Sequence, residues 1–390
     1  MITVGEAKHI VLSHCRILGP AEIAIEAAVG HALREDITSS INIPSFRQSS
    51  MDGYAIRLAD KDNTLPIRDE LPAGTSKQIS LLPGSAIKVF TGGPVPDGAD
   101  VVVQKEKVTV SENAIRMNAP ELEAGTNIRM PGTEIRKGET AIPSGTVIHS
   151  MHIGFMASLG ITKVTVIRKP SVAIIITGNE VVQPGNPLQP GQVYESNSFG
   201  LKACLQQLHV NCIDISYAKD DLSETEKKIA AALAEHDIVL ITGGVSVGDY
   251  DHVTKACINL GIQEHFHGVK QRPGKPLFFG TKENKPVFGL PGNPASVLSC
   301  FYQYVLPAIH VMSGTAMPLP VKAKLKEPFE KKIPLSFFLK GYFADGEVAV
   351  LSGQASFQLS AFVRANCWIE LDEKLTDFEK GKEVSIHLFI

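Results

Sequence analysis

The chain has 390 residues, of which 44% are hydrophobic and 20% charged, and this composition excludes wholesale disorder. Its 38 Lys and Arg residues against 41 Asp and Glu residues give a net charge of −3, which argues against a generic nucleic-acid binder. Because single hydrophobic cores stop growing at roughly 250 to 300 residues, the length predicts two or more domains.

The N-terminal segment has no sign of a secretory leader, since Glu6, Lys8 and Arg16 interrupt its apolar residues and no cleavage signature follows. No stretch approaches the roughly 18 apolar residues of a membrane span. The six cysteines never form a C-x-x-C pair, so neither a zinc ribbon nor a redox dithiol is encoded locally. We expect a cytoplasmic protein with reduced, buried thiols and without a membrane or nucleic-acid partner.

The first 40 residues show helical periodicity. Apolar residues between Ala7 and Leu18 mark one helix face, and a second short helix is predicted from Ala21 to Ala32. From residue 41 to about 148, short β-type runs alternate with Gly- and Pro-rich turns, which predicts a small antiparallel barrel or sandwich. A helix over 150–160 and a strand over 161–170 are expected to follow.

After Pro170, predicted strands and helices alternate, which is typical of a parallel sheet with crossover helices. A capping box of Ser223 and Glu226 predicts the start of one helix, and a long apolar helix is predicted from Pro294. From about residue 318 the strands return without clear helices, which indicates a β-rich C-terminal unit. The buried strands of the α/β part are predicted at 171–177, 210–218, 238–242 and 286–290.

Two loops follow buried strands at the sheet edge where α/β proteins bind ligands. Residues 177–180 end in Glu180, and residues 242–251 contain three glycines, one serine and two aspartates. Glycines let backbone N–H groups approach an anion, serine can donate a hydroxyl, and carboxylates can bind a cation. An ordinary turn is the alternative for either loop alone.

Two more loops of the α/β part have anion-binding chemistry. Arg272 and Lys275 lie on a Pro-rich loop, but Pro276 stands where a P-loop has Ser or Thr, so a standard P-loop is excluded. A solvated surface loop is the alternative for these two cations. Residues 289–296 join a buried strand to a helix N-terminus, where N–H groups and the helix dipole favour anions. No G-x-G-x-x-G occurs at 243–248, so a dinucleotide fold is not supported.

The turn segments of the β-rich part, 49–55 and 91–100, are compatible with ordinary hairpins on composition alone. Taken in chain order with the loops above, however, they carry a resemblance to the MoeA family, the molybdopterin molybdenumtransferases, over nearly the whole chain. The motifs are M-D-G-Y-A (51–55), T-G-G-P-V-P-D-G-A-D (91–100), N-I-R-M-P-G-T-E (127–134), T-G-N-E (177–180), T-G-G-V-S-V-G-D-Y-D (242–251), P-G-K-P (273–276) and G-L-P-G-N-P-A-S (289–296).

The resemblance implies a multidomain chain of α/β and β-rich domains, which assembles as an elongated homodimer. Its active cleft would form between the α/β domain of one subunit and the β-rich parts of the other. The expected domains are an N-terminal or linker domain (1–40 and 141–169), an inserted β-rich domain (41–140), a MogA-like parallel-sheet domain that binds molybdopterin (170–316) and a C-terminal β-barrel-like domain (317–390).

The resemblance also implies a reaction. Adenylylated molybdopterin and molybdate enter, the phosphoanhydride is cleaved with Mg²⁺ present, AMP leaves, and the dithiolene sulfurs hold molybdenum. Molybdate and pyrophosphate are both oxyanions, so cations and N–H groups are expected to converge where charge develops, while carboxylates hold Mg²⁺. The upstream adenylyltransferase is a candidate partner.

By the same resemblance, Asp52, Thr91, Glu180 and Lys275 would be catalytic, and Asp52, Glu134 and Glu180 would bind the metal. Lys340 stands where relatives usually have arginine, so a point charge replaces a bidentate fork. Likewise, Glu134 replaces the aspartate of many relatives, and Arg272 replaces a lysine. The expected substrate-binding residues are Arg129, Asp221, Gly243, Gly244, Ser246, Asp251, Arg272, Pro291, Gly292, Asn293, Ser296, Lys340 and Ser356.

Two other functions are considered. An adenylyltransferase would make the adenylylated pterin from ATP, but the α/β module would suffice for that reaction. A non-enzymatic dimeric scaffold, as in the gephyrin E domain, is the second, and the sequence contains no long Pro/Ser-rich linker to support it.

Overall fold

The computed structural model describes residues 1–118, 121–211, 213–245 and 252–389. The chain folds into two compact units. The first unit contains Met1–Arg34, Val147–Ser150 and Lys163–Ile390, and the second contains Glu35–Thr146 and Met151–Thr162. The division into four domains stays a prediction.

The centre of the first unit is a six-stranded sheet. The first four strands in spatial order are parallel to one another. The fifth strand pairs antiparallel with the fourth, and the sixth pairs antiparallel with the fifth, so the sheet is mixed. The central strand Val172–Thr177 is buried at every position, as expected for a strand covered on both faces. In spatial order the strands are Ile213–Ala218, Val172–Thr177, Ile238–Thr242, Lys285–Leu290, Phe278–Lys282 and Gln263–His267.

Helices cover both faces of this sheet. Ile174 and Ile176 pack with Leu201 and Phe301 on one face, while Ile175 packs with Ile229 on the other. The helices of this unit are Val4–Ser13, Asn197–Gln207, Leu222–Glu235, His252–Asn259, Pro294–Cys300 and Leu306–Met312, with a π-helical turn at Phe301–Val305 and short 3₁₀ turns at Ile25–Ala27 and Ser360–Val363.

The predicted long apolar helix is confirmed from Pro294 onward, with its π-helical turn in the middle. By length and composition, Pro294–Met312 is the one helix among the described residues that could cross a membrane, with 19 residues and a mean hydropathy of 1.3. However, 72% of that window is buried inside the protein, where its side chains form part of the core.

A closed five-stranded barrel near the C-terminus confirms the predicted β-rich unit. Gln271–Arg272 pairs with the first barrel strand, so the loop with the two predicted cations is joined directly to the barrel. In order around the barrel the strands are Ser336–Ala344, Glu347–Val350, Val321–Leu325, Glu383–Leu388 and Cys367–Leu371, which pairs back with Ser336–Ala344. The smaller pairs of this unit are Pro20–Ala24 with Lys163–Ile167, Val181–Val182 with Val193–Tyr194, and Phe329–Glu330 with Asp377–Phe378.

The second unit is β-rich, as predicted, and has one helix, Ser150–Ser158, and two short 3₁₀ turns among its described residues. Its six-stranded sheet runs in the order Val101–Gln104, Gly53–Ile56, Ala86–Val89, Leu65–Leu71, Ala114–Met117 and Val108–Ser111. Its smaller pairs are Gln48–Ser49 with Ile128–Arg129 and Ile37–Thr38 with Thr140–Ile142, and its 3₁₀ turns are Leu58–Asp60 and Lys105–Lys107.

Two local predictions are wrong. The helix predicted from Ala21 to Ala32 is instead the strand Pro20–Ala24 and a short 3₁₀ turn, because the strand finds an antiparallel partner in Lys163–Ile167. The predicted capping box of Ser223 and Glu226 does not form. Asp221 caps that helix and accepts a hydrogen bond from the backbone N–H of Glu224 at 2.8 Å.

The five described cysteines are buried, as expected. Burial raises the pKa of Cys204 to about 11 and that of Cys15 to about 12.

Candidate active site

The carboxyl ends of three neighbouring parallel strands meet at one edge of the central sheet. Thr177 and Thr242 end two of these strands, and the Thr177 hydroxyl donates a hydrogen bond to the Thr242 carbonyl over 3.1 Å. The third strand ends at Leu290, whose carbonyl accepts from the Gly243 N–H at 3.1 Å. The three loops that follow these strands therefore begin side by side, as the parallel topology predicts.

A cavity of about 580 Å³ opens at this edge. Four of the predicted site residues line it, from three separate loops. Two aromatic residues are among the lining residues that the sequence analysis missed. The predicted ones are Glu180, Gly243, Gly292 and Asn293, and the missed ones include Tyr194, Glu195, Asn197 and Phe357.

Gly243 is required by the backbone of this edge. Its φ of +87° lies in the left-handed region, and a Cβ there would lie 2.8 Å from both the carbonyl and the hydroxyl oxygen of Thr177. Any side chain would thus disturb the contact between two strand ends. Gly244 is also left-handed, with φ of +62°, whereas Ser246 and Asp251 lie outside the described residues.

Glu195 is a buried carboxylate in the wall of this cavity. It is only 3% exposed, and its two oxygens accept hydrogen bonds from the Ser198 N–H at 2.8 Å and the Ser198 hydroxyl at 2.5 Å. The available sequence signal was the polar run 195–198, at the start of the helix Asn197–Gln207. Glu is rarely buried unless its carboxylate has partners, and here Ser198 supplies two.

Asn197 connects this wall to the loop after the third strand. Its side-chain N–H group donates to the Gly292 carbonyl at 2.9 Å, while its Oδ1 is buried and has no hydrogen-bond partner among the described residues. In the same loop, Asn293 donates through Nδ2 to the Ser356 hydroxyl at 3.0 Å, and the Ser356 carbonyl accepts from the Ala295 N–H at 3.0 Å. Ser356 of the C-terminal barrel is thereby fixed against the α/β domain.

The remaining predicted residues of these loops are placed differently. Pro291 and Ser296 are buried and do not line the cavity. Asp221 is exposed and caps its helix.

Arg272 and Lys275 are both exposed on one loop, and neither lines the 580 Å³ cavity. The loop is anchored by the buried Gln271, whose Nε2 donates to the Gly274 carbonyl at 3.1 Å and whose Oε1 accepts from the Tyr304 hydroxyl at 2.5 Å. The backbone that carries the two cations is thus fixed, and the guanidinium carbon of Arg272 lies 5.6 Å from the centre of the Phe337 ring.

Lys340 has a different environment from the one that the resemblance implied. It is 1% exposed, and its ammonium donates to the carbonyls of Gly353 at 2.6 Å, Ala355 at 3.1 Å and Gln358 at 2.8 Å. Burial lowers its pKa. An ammonium has three N–H donors, and all three are used by these carbonyls, so Lys340 organises the loop around Ser356 instead of presenting a charge to an oxyanion.

In the second unit, Asp52 and Thr91 are in direct contact. The backbone N–H and the hydroxyl of Thr91 each donate to Asp52 Oδ1 at 2.9 Å, and Lys105 Nζ donates to Oδ2 at 3.4 Å. The Thr91 N–H first, and then its hydroxyl, lower the pKa of Asp52. The structure therefore brings together two residues that were predicted from separate motifs.

Arg129 and Glu134 line a second cavity, of about 540 Å³, in the second unit. Arg129 donates to the Gln48 side chain at 3.3 Å, and Gln48 donates to the Gly92 carbonyl at 3.2 Å. Asp52 does not line this cavity. The three expected metal ligands, Asp52, Glu134 and Glu180, thus lie in three different surroundings.

The fold and this edge define a multidomain protein with a C-terminal barrel and an α/β domain that has a cavity at the carboxyl ends of its parallel strands. Three family descriptions match nearly all of it: the MoeA N-terminal region (domain I and II) over residues 2–160, a probable molybdopterin binding domain over 173–311, and the MoeA C-terminal region (domain IV) over 322–389. The chain belongs to the MoeA family of molybdopterin molybdenumtransferases, which are transferases of molybdenum cofactor biosynthesis.

Individual relatives agree with this assignment. The molybdopterin molybdenumtransferase of Haemophilus influenzae is 35% identical over 100% of this chain and 99% of its own length. That of Staphylococcus epidermidis is 34% identical over 99% and 95%. The crystal structure of the molybdopterin biosynthesis MoeA protein from Pyrococcus horikoshii superposes with a TM-score of 0.82 at 31% identity, covering 100% of both chains. The predicted family, fold class and transferase activity are confirmed, and the two alternative functions are not favoured.

Proposed function

We propose that this enzyme inserts molybdenum from molybdate into adenylylated molybdopterin and releases AMP in a Mg²⁺-dependent step. The observation that carries this proposal is the 580 Å³ cavity, because carboxylates and glycine-rich backbone line it together. Glu180 and Glu195 supply oxygen atoms, while the loops of Gly243 and Gly292 allow a phosphate group to approach the backbone.

The donor set of this cavity fits Mg²⁺, which prefers oxygen ligands and usually keeps several waters. Among the described residues, no side chain or backbone group donates a hydrogen bond to the Glu180 carboxylate, and Glu195 retains lone pairs beyond its two bonds to Ser198. We propose that Glu180, with Glu195, holds the ion in the α/β domain. A bound Mg²⁺ would neutralise charge on the phosphoanhydride as AMP leaves.

We propose that Arg272 and Lys275 attract the second oxyanion, molybdate. Both are exposed, and the buried Gln271 fixes the backbone of their loop, so little order is lost when an anion binds. For Asp52 and Thr91, we propose a catalytic role in which Thr91 orients the carboxylate and keeps it ionised.

The test measures AMP release from adenylylated molybdopterin, with and without molybdate and Mg²⁺. We expect release to require both, and Asp52→Ala and Lys275→Ala each to lower the rate by about 10²-fold, the loss typical of removing one electrostatic contact in an active site. Asp69→Ala removes another carboxylate of the second unit, paired with Lys77 at 3.0 Å, and is the matched control.

Lys227→Ala, on an exposed helix position, is the control for the lysine variant. Unchanged turnover in Asp52→Ala or Lys275→Ala would contradict the assignment of that residue. Consumption of ATP with release of pyrophosphate would instead indicate an adenylyltransferase.

We also propose a cytoplasmic homodimer that receives its substrate from the upstream adenylyltransferase. A sedimentation mass near twice the 42.0 kDa of one chain is expected at micromolar protein, and a mass near 42.0 kDa would refute the dimer. Substrate transfer predicts that purified adenylyltransferase shortens the lag before AMP appears, compared with free adenylylated molybdopterin at the same concentration.

A further inference from the structure

Two aromatic side chains in the wall of the 580 Å³ cavity are unusually exposed. Phe357 is 68% exposed and Tyr194 is 49% exposed, and both line the cavity at the sheet edge. Neither side chain stabilises a core at that exposure, because the benefit of an apolar ring comes from its removal from water. Each ring therefore has a face available to a ligand.

Phe357 belongs to a loop that is held in place by many hydrogen bonds. The ammonium of Lys340 binds three carbonyls of this loop, two before Phe357 and one directly after it. The Gln354 amide donates to the Lys340 carbonyl at 2.9 Å and to the Leu351 carbonyl at 2.7 Å, and its oxygen accepts from the Lys340 N–H at 3.0 Å. Such a loop presents an exposed phenylalanine at little further cost in conformational entropy.

The same loop is attached to the α/β domain next to the cavity. Ser356, the residue before Phe357, is bonded to Asn293 and to the Ala295 N–H, both at 3.0 Å. Tyr194 is fixed independently, because its hydroxyl donates to the Asn186 carbonyl at 3.0 Å. Two separately anchored segments thus each contribute one ring to the same cavity.

We propose that Phe357 and Tyr194 form the aromatic walls that hold the planar nitrogen heterocycle of the substrate, either its adenine or its pterin. This inference rests on the proposed function, which supplies a substrate with two such rings. A cavity of 580 Å³ lies within the range of about 300–1,000 Å³ of small-molecule sites. Stacking on an aromatic face recognises any flat heterocycle, whereas the carboxylates and backbone of the same cavity recognise the phosphate end.

Binding measurements by calorimetry test this proposal on the full-length protein. The probes are AMP, ribose 5-phosphate, which keeps the phosphate but lacks the base, and an unsubstituted pterin, which lacks the phosphate. For the unaltered protein we expect AMP to bind more tightly than ribose 5-phosphate. Phe357→Ala should weaken binding of the stacked ring about tenfold and leave ribose 5-phosphate unchanged.

Conservative variants separate stacking from simple apolar contact. Phe357→Tyr keeps the ring and should bind the heterocycle as the unaltered protein does, whereas Phe357→Leu should resemble Phe357→Ala. Phe199→Ala is the matched control, because Phe199 is 58% exposed in the same unit and does not line the cavity. If Phe357→Ala loses affinity for AMP alone, the walls hold adenine, and if it loses affinity for the pterin alone, they hold the pterin.

Equal affinities for AMP and ribose 5-phosphate, together with pterin binding that Phe357→Ala does not change, would overturn the proposal. So would a Phe357→Ala effect of the same size on ribose 5-phosphate as on AMP, because that result indicates a general loss of structure. The proposed function is tested separately by the AMP-release assay, and it fails if AMP release does not depend on molybdate. In that case calorimetry can still show whether binding depends on the aromatic rings.

Discussion

Replacing Lys340 by methionine removes one ammonium that satisfies three backbone carbonyls, those of Gly353, Ala355 and Gln358. Methionine fills a similar volume but donates nothing, so the three carbonyls lose their partner. Each buried carbonyl left without a donor costs about 1–3 kcal/mol. Two effects reduce the combined cost of the three carbonyls. Water can reach parts of this loop, and the cost of burying the ammonium disappears in the variant.

We therefore expect Lys340→Met to lower the free energy of unfolding by about 2–4 kcal/mol, measured by urea denaturation. Because the loop also presents Phe357, binding of the stacked heterocycle should weaken as it does in Phe357→Ala. Lys340→Arg keeps the charge but brings a larger, planar group, so part of both losses should remain.

Lys331→Met is the matched control for this prediction. Lys331 is also buried, at 2% exposure, and its ammonium donates to the carbonyls of Leu335 and Asp372. Its loss should destabilise the barrel without changing AMP affinity, because none of these residues lines the 580 Å³ cavity.

One result would refute this account of Lys340. If Lys340→Met kept the stability of the unaltered protein within about 0.5 kcal/mol and raised only the KM for molybdate, Lys340 would be an oxyanion ligand, as the family resemblance implied.

Two further predictions concern backbone and charge. Gly243→Ala should lower the free energy of unfolding by about 2–4 kcal/mol and abolish AMP binding, because the new Cβ would lie 2.8 Å from two Thr177 oxygens. Gly191→Ala is the control, since Gly191 also has a positive φ, of +85°, but a Cβ there would have no atom within 4 Å. This variant should lower the free energy of unfolding by only about 1–2 kcal/mol and leave AMP binding intact. Equal costs in thermal unfolding would contradict this. Burial opposes ionisation of Asp237, but hydrogen bonds from Arg168 and Ser171 outweigh it and lower its pKa to about 2. In urea denaturation above about pH 4, the free energy of unfolding of the unaltered protein should therefore be about 2 kcal/mol higher than that of Asp237→Asn. This difference should shrink as the pH falls towards 2, because the carboxylate becomes protonated. A difference that stays constant down to pH 2 would contradict the role of the carboxylate.

Local sequence patterns predicted the α/β elements well and failed where a distant partner decided the structure. The continuous apolar run of Val172–Thr177 is short and rich in β-branched residues, which favours a buried strand, and the structure has one there. Pro20–Ala24 had no such pattern, and its strand exists because Lys163–Ile167 lies beside it. Likewise, Asp221 competed successfully with Ser223 as the helix cap, which no spacing rule distinguishes.

The sequence by itself determined that glycine-rich loops follow buried strands, and therefore that Glu180, Gly243 and Gly292 would lie at one sheet edge. Strands that alternate with helices form a parallel sheet, and parallel strands end at the same side. Only the tertiary structure decided the use of Lys340. A cation can bind a substrate only if the protein does not already occupy its donors, and here carbonyls 13 to 18 residues further along the chain occupy all three. The position of Phe357 beside that edge likewise depends on the hydrogen bond between Asn293 and Ser356, which are 63 residues apart in the chain, and no local pattern encodes such a contact.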